Sequence, residues 1–193
     1  MSPYVPLLRR RRRGQTDYRA RRRAIASQKP LLVVRVSNKN VSSQFVKPTA
    51  KGDLVVSSAH SRELIRLGWH GSLKSTPACY LLGMLAGKKA QAKGVSEAVL
   101  YMGVLPFIRG ARMAAFVKGA IESGVQVPMG EEAFPSADQL SGKTISEYAT
   151  TLSSEDAKAY SKRFSALLKA GFDPTGYPAQ VEKTKAAIMG GKK

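Results

Sequence analysis

The stretch "LLVVRVSNKNVSSQFVKPTAKGDLVVSSA", Leu31 to Ala59, contains three β-branched, apolar runs separated by two short polar connections. The runs are "LLVVRV" (31–36), "VSSQFVK" (41–47) and "DLVVSSA" (53–59), joined by "SNKN" and "PTAKG". β-Branched residues fit a pleated surface, and Asn, Pro and Gly fit turns, so the stretch predicts an antiparallel three-strand meander. Side chains alternate across a strand, which places Leu32, Val34 and Val36 on one face and Leu31, Val33 and Arg35 on the other. Arg35, Lys39, Lys47 and Lys51 then lie on the sheet or its turns.

Toward the C-terminus, Thr76-Pro77 marks a helix start, and the helix runs through "ACYLLGMLAGKKAQAK" to Gly94. Gly83 and Gly87, one turn apart, allow a close backbone approach, expected to be packing on the sheet. "EAVLYMGV" (97–104) reads as a fourth strand, joined to the meander by a helical crossover. A second helix follows over about 110–123, with Met113, Phe116, Val117, Ala120 and Ile121 on its apolar face and Gly124 as its stop. The expected fold class is α/β: a small mixed sheet, the meander plus a fourth strand, packed with helices over residues 30–139.

Beyond Val127, Pro128, Gly130, Pro135 and Gly142 mark an irregular connection. A helical C-terminal extension over 140–193 is expected next. Ser153 and Asp156 are spaced as a helix cap, followed by a stripe of Ala157, Tyr160, Phe164, Leu167 and Leu168 closed by Gly171. A last helix starts near Pro178. The extension has too little apolar surface to stand alone and is expected to dock on the core or on a partner.

Toward the N-terminus lies a basic arm, residues 1–29. "RRRRRGQTDYRARRR" (9–23) holds nine arginines and one acid, Asp17. Residues 1–51 carry 14 Lys and Arg against that single acid, a net of +13 out of +19 for the whole chain. Stacked like charges destabilise a domain by self-repulsion, and a polyanion removes that cost. Thr16 is placed to cap a helix over 16–28, with Asp17 in its first turn and Pro30 stopping it. Tyr18, Arg22 and Ile25 would share one face, with Arg19 and Arg23 on the next. Guanidinium forks suit phosphates and stack on bases. A membrane-surface helix needs a continuous apolar face, and this one offers only Ile25 with alanines, so nucleic acid is preferred to lipid.

Composition narrows the alternatives. At 43% hydrophobic content over 193 residues the chain can bury a core, and no segment approaches the roughly 20 apolar residues of a membrane helix. The arm lacks the apolar run of a secretory signal, and it has no serine between Ser2 and Ser27, where a mitochondrial presequence is usually Ser-rich. A single Cys79 precludes an intramolecular disulfide and sits in an apolar stretch, where a buried structural thiol is expected. His60 and His70 have no partners at metal-ligand spacing, so neither a metal nor a cofactor is expected. "ADQLSGKT" (137–144) imitates a phosphate loop, but no strand precedes it and Asp138 adds a negative charge, so a turn and helix start is expected. No catalytic set assembles, and the chain is not expected to be an enzyme or to take a small-molecule substrate.

The ordered series "RRRRRGQTDYRARRR", "VVRVSNKNVSSQ", "VVSSA", a glycine-bearing helix and "VLYMG…GARMAAFVKGAIESGVQVP" resembles the large-subunit ribosomal protein L-eighteen family in its archaeal form, whose eukaryotic counterpart is called L-five. The similarity covers essentially the whole chain. It implies a cytoplasmic ribosomal protein that binds 5S rRNA and helps fix it in the central protuberance of the large subunit. Large-subunit rRNA and neighbouring proteins of the protuberance would be its other partners. By matching position, Arg9, Arg10, Arg11, Arg12, Arg13, Tyr18, Arg19, Arg21, Arg22 and Arg23 of the arm would touch RNA. Arg35, Ser37, Asn38, Lys39 and Gln44 would form the RNA face of the core, with Lys47 and Lys51 adding charge. The chain departs from the family pattern at Tyr101, where an acid is common, and at "LPFI" (105–108), where the loop is usually more polar.

A-form RNA hides its major-groove edges, so such a protein reads phosphates, 2′-hydroxyls and shape, with bases read only where they are unpaired. Tyr18 stacks on a base or packs on the core; both readings stand. A basic protein that binds any nucleic acid without selectivity is the alternative function, and it would bind duplex DNA and RNA equally.

Overall fold

Strand β1 (Leu31–Val36) pairs antiparallel with β2 (Val41–Thr49), which pairs antiparallel with β3 (Gly52–His60). The computed structural model describes residues 6–190; the first five residues of the arm and the last three of the extension lie outside it. The register Leu32↔Phe45 and Val34↔Ser43 puts Leu32, Val34, Val41 and Phe45 on the face that builds the core, as the alternation predicts. Leu31, Val33 and Arg35, paired with Val46, Gln44 and Ser42, form the outer face. A bulge between Phe45 and Val46 bends the β2–β3 hairpin.

β4 (Val99–Tyr101) adds to the other side of β1 in parallel, Leu31↔Val99, giving the order β3-β2-β1-β4. The mixed sheet is therefore as expected, but β4 is three residues long rather than eight. Glu97 bridges to Gln126 instead of β1, and Gly103, at φ +72°, turns the chain out of the sheet.

Two short helices, α1 (Arg9–Arg12) and α2 (Tyr18–Ala26), precede the sheet, and α3 (Glu63–Arg66) follows β3. The core sits between the inner sheet face and α4 (Thr76–Gln91), which is capped by Ser75 and carries Pro77 in its first turn. α5 (Arg112–Glu122) packs beside α4. Here the glycine expectation is corrected: Gly83 and Gly87 meet α5, not the sheet. A methyl at Gly83 would overlap the Phe116 carbonyl oxygen, and one at Gly119 would overlap that of Tyr80. Glycines on both helices bring the two backbones into contact, and larger side chains could not be accommodated there. Cys79 is buried in this core, and burial pushes its thiol up to about 12.

The phosphate-loop look-alike is two helices, α6 (Ala137–Ser141) and α7 (Lys143–Glu155), separated by Gly142 at φ +81°. Ser153 does not cap a helix: it lies inside α7, and its hydroxyl donates back to the Thr150 carbonyl. Asp156 is itself the cap of α8 (Ala157–Arg163), accepting from the N–H groups of Lys158 and Ala159. The expected apolar stripe is broken at Phe164, where α8 gives way to α9 (Ser165–Lys169).

α10 (Tyr177–Met189) lies on the core. Tyr177, Val181 and Ile188 are buried in the same cluster as Leu82 and Phe116. Tyr177 meets Trp69 edge-on, ring centroids 5.8 Å apart, and its hydroxyl accepts from the Ser72 N–H at 3.0 Å. At the far end, Lys88 Nζ donates to the last carbonyls of α10, Ile188 and Met189, where a cation is favoured.

Candidate nucleic-acid interface

Asp17, not Thr16, starts α2: its Oδ1 accepts from the N–H groups of Arg19 (2.8 Å) and Ala20 (3.1 Å). Those two bonds, that of Ala20 first, hold its carboxyl below the usual carboxylate range. An acid suits this position because it also faces the positive helix end. Thr16 instead accepts from Arg10 Nε at 2.9 Å, tying the end of α1 to the start of α2. The helix ends at Ala26, short of the expected Gln28, which adopts a left-handed φ of +57°.

Which residues of α2 face the sheet differs from the sequence expectation. Tyr18, Ala20, Arg21 and Ala24 are half-buried, whereas Arg19, Arg22, Arg23 and Ile25 are exposed. Arg21 turns inward and pairs with Asp53, at the tip of the β2–β3 hairpin, with Nη2 and Oδ1 2.5 Å apart. That contact, together with neighbouring Tyr101, raises the Arg21 pKa further. Arg9, Arg10, Arg11, Arg12 and Arg13 are all exposed, and among the described residues none of them forms a salt bridge.

The sheet residues fall into groups. Arg35 and Gln44 are exposed on the outer face, the side on which Arg21 meets Tyr101. Ser37, Asn38 and Lys39 form the β1–β2 turn. There Ser37 is occupied locally, donating from its hydroxyl to the Asn40 carbonyl (2.8 Å) and accepting from the Asn40 N–H (3.0 Å). Lys47 and Lys51 lie near the opposite end of β2, exposed beside the hairpin tip. The structure thus brings Arg10, Tyr18, Arg21 and Arg35 around one pocket and leaves Lys39 and Lys51 at opposite ends of the sheet.

Sequence reasoning missed several neighbours of these residues. Lys74 and Arg112 line a cavity with Ser37 and Asn38, adding two cations to that turn. Asp53 and Tyr101 join the arm through contacts 32 residues apart or more, which no local pattern reveals. Leu105, Phe107 and Ile108 of "LPFI" are exposed, so that loop is not part of the core.

A family model described as "Ribosomal large subunit proteins 60S L5, and 50S L18" matches residues 4–96, from the arm through α4. A large ribosomal subunit protein uL18 from Thermofilum pendens is 44% identical over 184 residues, covering 95% of this chain and 93% of that protein. The uL18 proteins of Caldivirga maquilingensis and Aeropyrum pernix are each 43% identical, over 96% and 95% of this chain and 90% and 86% of their own lengths. The chain belongs to the uL18 family. With 95–96% of this chain covered, the similarity to these uL18 proteins extends beyond residue 96 into the part of the chain that holds α5 and the helical extension. The matched uL18 proteins are named as ribosomal proteins, not as enzymes.

Proposed function

We propose that this protein is a constituent of the large ribosomal subunit that binds 5S rRNA and helps anchor it in the central protuberance, against large-subunit rRNA and neighbouring proteins. The observation that carries the reading is the surface formed by the arm and α2. Arg9, Arg11, Arg12, Arg13, Arg19, Arg22 and Arg23 project outward there, and Asp17 is turned to its own helix. Membership of the uL18 family supports the ribosomal setting.

The arginines bind phosphates by charge and bidentate hydrogen bonds. α2, capped by Asp17 and held to the sheet through Arg21 and Asp53, sets the spacing of those contacts. Arg35, Asn38, Lys39 and Gln44 extend the surface along the sheet and its turn, and Lys47 and Lys51 extend it past the hairpin tip. With about 6 to 10 phosphate contacts, affinity falls roughly 10³- to 10⁵-fold between 50 and 200 mM salt.

A competition titration against 5S rRNA, transfer RNA and duplex DNA at several salt concentrations tests the reading. The expected result is a 5S preference that persists at physiological salt. Equal binding to all three, lost together as salt rises, would identify a nonselective polycation instead.

A further inference from the structure

The arm and the outer sheet face enclose a pocket of about 450 Å³. That volume falls within the roughly 300 to 1,000 Å³ of small-ligand sites. Its walls come from distant pieces of chain: Tyr18 and Arg21 on α2, Arg35 on β1, Tyr101 on β4, and Arg10 from the arm. Three arginines and two tyrosines thus face a single carboxylate, that of Asp53, which is already paired with Arg21.

The remaining cations are Arg10 and Arg35. Arg10 is oriented through its Nε by Thr16, and among the described residues its outer guanidinium nitrogens have no hydrogen-bond partner. Arg35 is exposed and has no salt-bridge partner among the described residues. Tyr101 is buried and Tyr18 half-buried, so the aromatic walls lie deeper than these two cations. The cation surplus selects an anion and the aromatic walls select a flat ring. A nucleotide unit of RNA offers both, but only where it is unpaired, since a base inside a duplex is already stacked and paired.

We propose that this pocket receives one unpaired nucleotide of the bound RNA, its base against Tyr18 and Tyr101 and its phosphate on Arg10 and Arg35. The inference rests on the RNA-binding reading above and adds a single-base contact to it.

The test uses the full chain bound to 5S rRNA at physiological salt, irradiated at short ultraviolet wavelength, with cross-linked peptides identified by mass spectrometry. One unpaired nucleotide should cross-link to Tyr18 or Tyr101. Tyr18→Phe should bind within about twofold of the parent, and Tyr18→Ala about tenfold more weakly. Removing the cross-linked base from the RNA should weaken binding to the parent but not further weaken binding to Tyr18→Ala. Cross-links confined to other residues, or a Tyr18→Ala variant that binds like the parent, overturn the pocket and leave the RNA-binding reading intact. Tight binding of free adenosine, guanosine, cytidine or uridine monophosphate would make it a small-molecule site and also overturn the proposal. Failure to bind 5S rRNA at all overturns both.

Discussion

Arg21 and Asp53, 32 residues apart in sequence, join helix α2 to the tip of the β2–β3 hairpin at 2.5 Å. Both side chains remain about a third exposed, so the pair contributes little to global stability, about 0 to 1 kcal/mol. Its consequence is electrostatic: the acid neutralises one arginine of the arm. Asp53→Asn should leave the melting temperature nearly unchanged, while the slope of log affinity for RNA against log salt steepens by up to about one as Arg21 is released to a phosphate. An unchanged slope would mean that Arg21 does not reach the RNA.

Asp17 separates capping from charge. As a simple anion beside nine arginines it should oppose RNA, yet it also holds the first turn of α2. Asp17→Asn keeps the cap and removes the charge, so it should bind 5S rRNA at least as tightly as the parent. Asp17→Ala removes both and should bind more weakly than Asp17→Asn. The pH dependence follows from the lowered carboxyl: capping is fully present above the ordinary value of 3.8 and is lost as pH falls through the lowered one. Amide exchange at Arg19 and Ala20 should therefore stay slow down to about pH 4.

The contact between α4 and α5 depends on having no side chain at Gly83 and Gly119. Gly83→Ala should cost about 1 to 3 kcal/mol through overpacking, lowering the melting temperature by several degrees. Gly176→Ala is the control: its φ is −82° and nothing lies within 4 Å of an added methyl, so it should be neutral or slightly stabilising.

Tyr177 fixes the C-terminal helix to the core. Tyr177→Ala should cost about 3 to 5 kcal/mol, as large-to-small changes of buried aromatic residues do. Tyr177→Phe, which leaves the Ser72 N–H without its acceptor, should cost about 1 to 3 kcal/mol. Trp69, the single tryptophan, reports both: it is buried beside Tyr177, and its emission should shift to the red in Tyr177→Ala.

Cys79 offers an independent check on the core. With its thiol pushed up to about 12 by burial, a thiol reagent at pH 8 should label it only as the protein unfolds, and at the same rate as unfolding. Fast labelling of the folded chain would contradict the burial.

The sheet was legible because its signal is local. Leu32 and Val34 alternate with Val33 and Arg35, so the pairing of β1, β2 and β3 follows within a few residues, although the expected turn "PTAKG" tightens to Ala50-Lys51 because Pro48, Thr49 and Gly52 join the paired strands. Gly83 and Gly87 were recognisable as a close approach, but their partner was not, because helix and sheet impose the same demand for a missing Cβ. The cap of α8 was displaced from Ser153 to Asp156 because both residues suit the position and only α7, running on to Glu155, decides between them. The arm's charge was plain from "RRRRR", whereas the inward turn of Arg21 required Asp53 to be in place. The proposed interface was thus readable in its residue types and not in its assembly.

Amide hydrogen exchange of the full chain with and without 5S rRNA tests the account most directly. The account predicts slowed exchange along α2, the β1–β2 turn, the hairpin tip at 52–55 and the segment 101–105, with α7 to α10 unchanged. Protection confined to 143–189, with α2 exchanging as in the free protein, would contradict it.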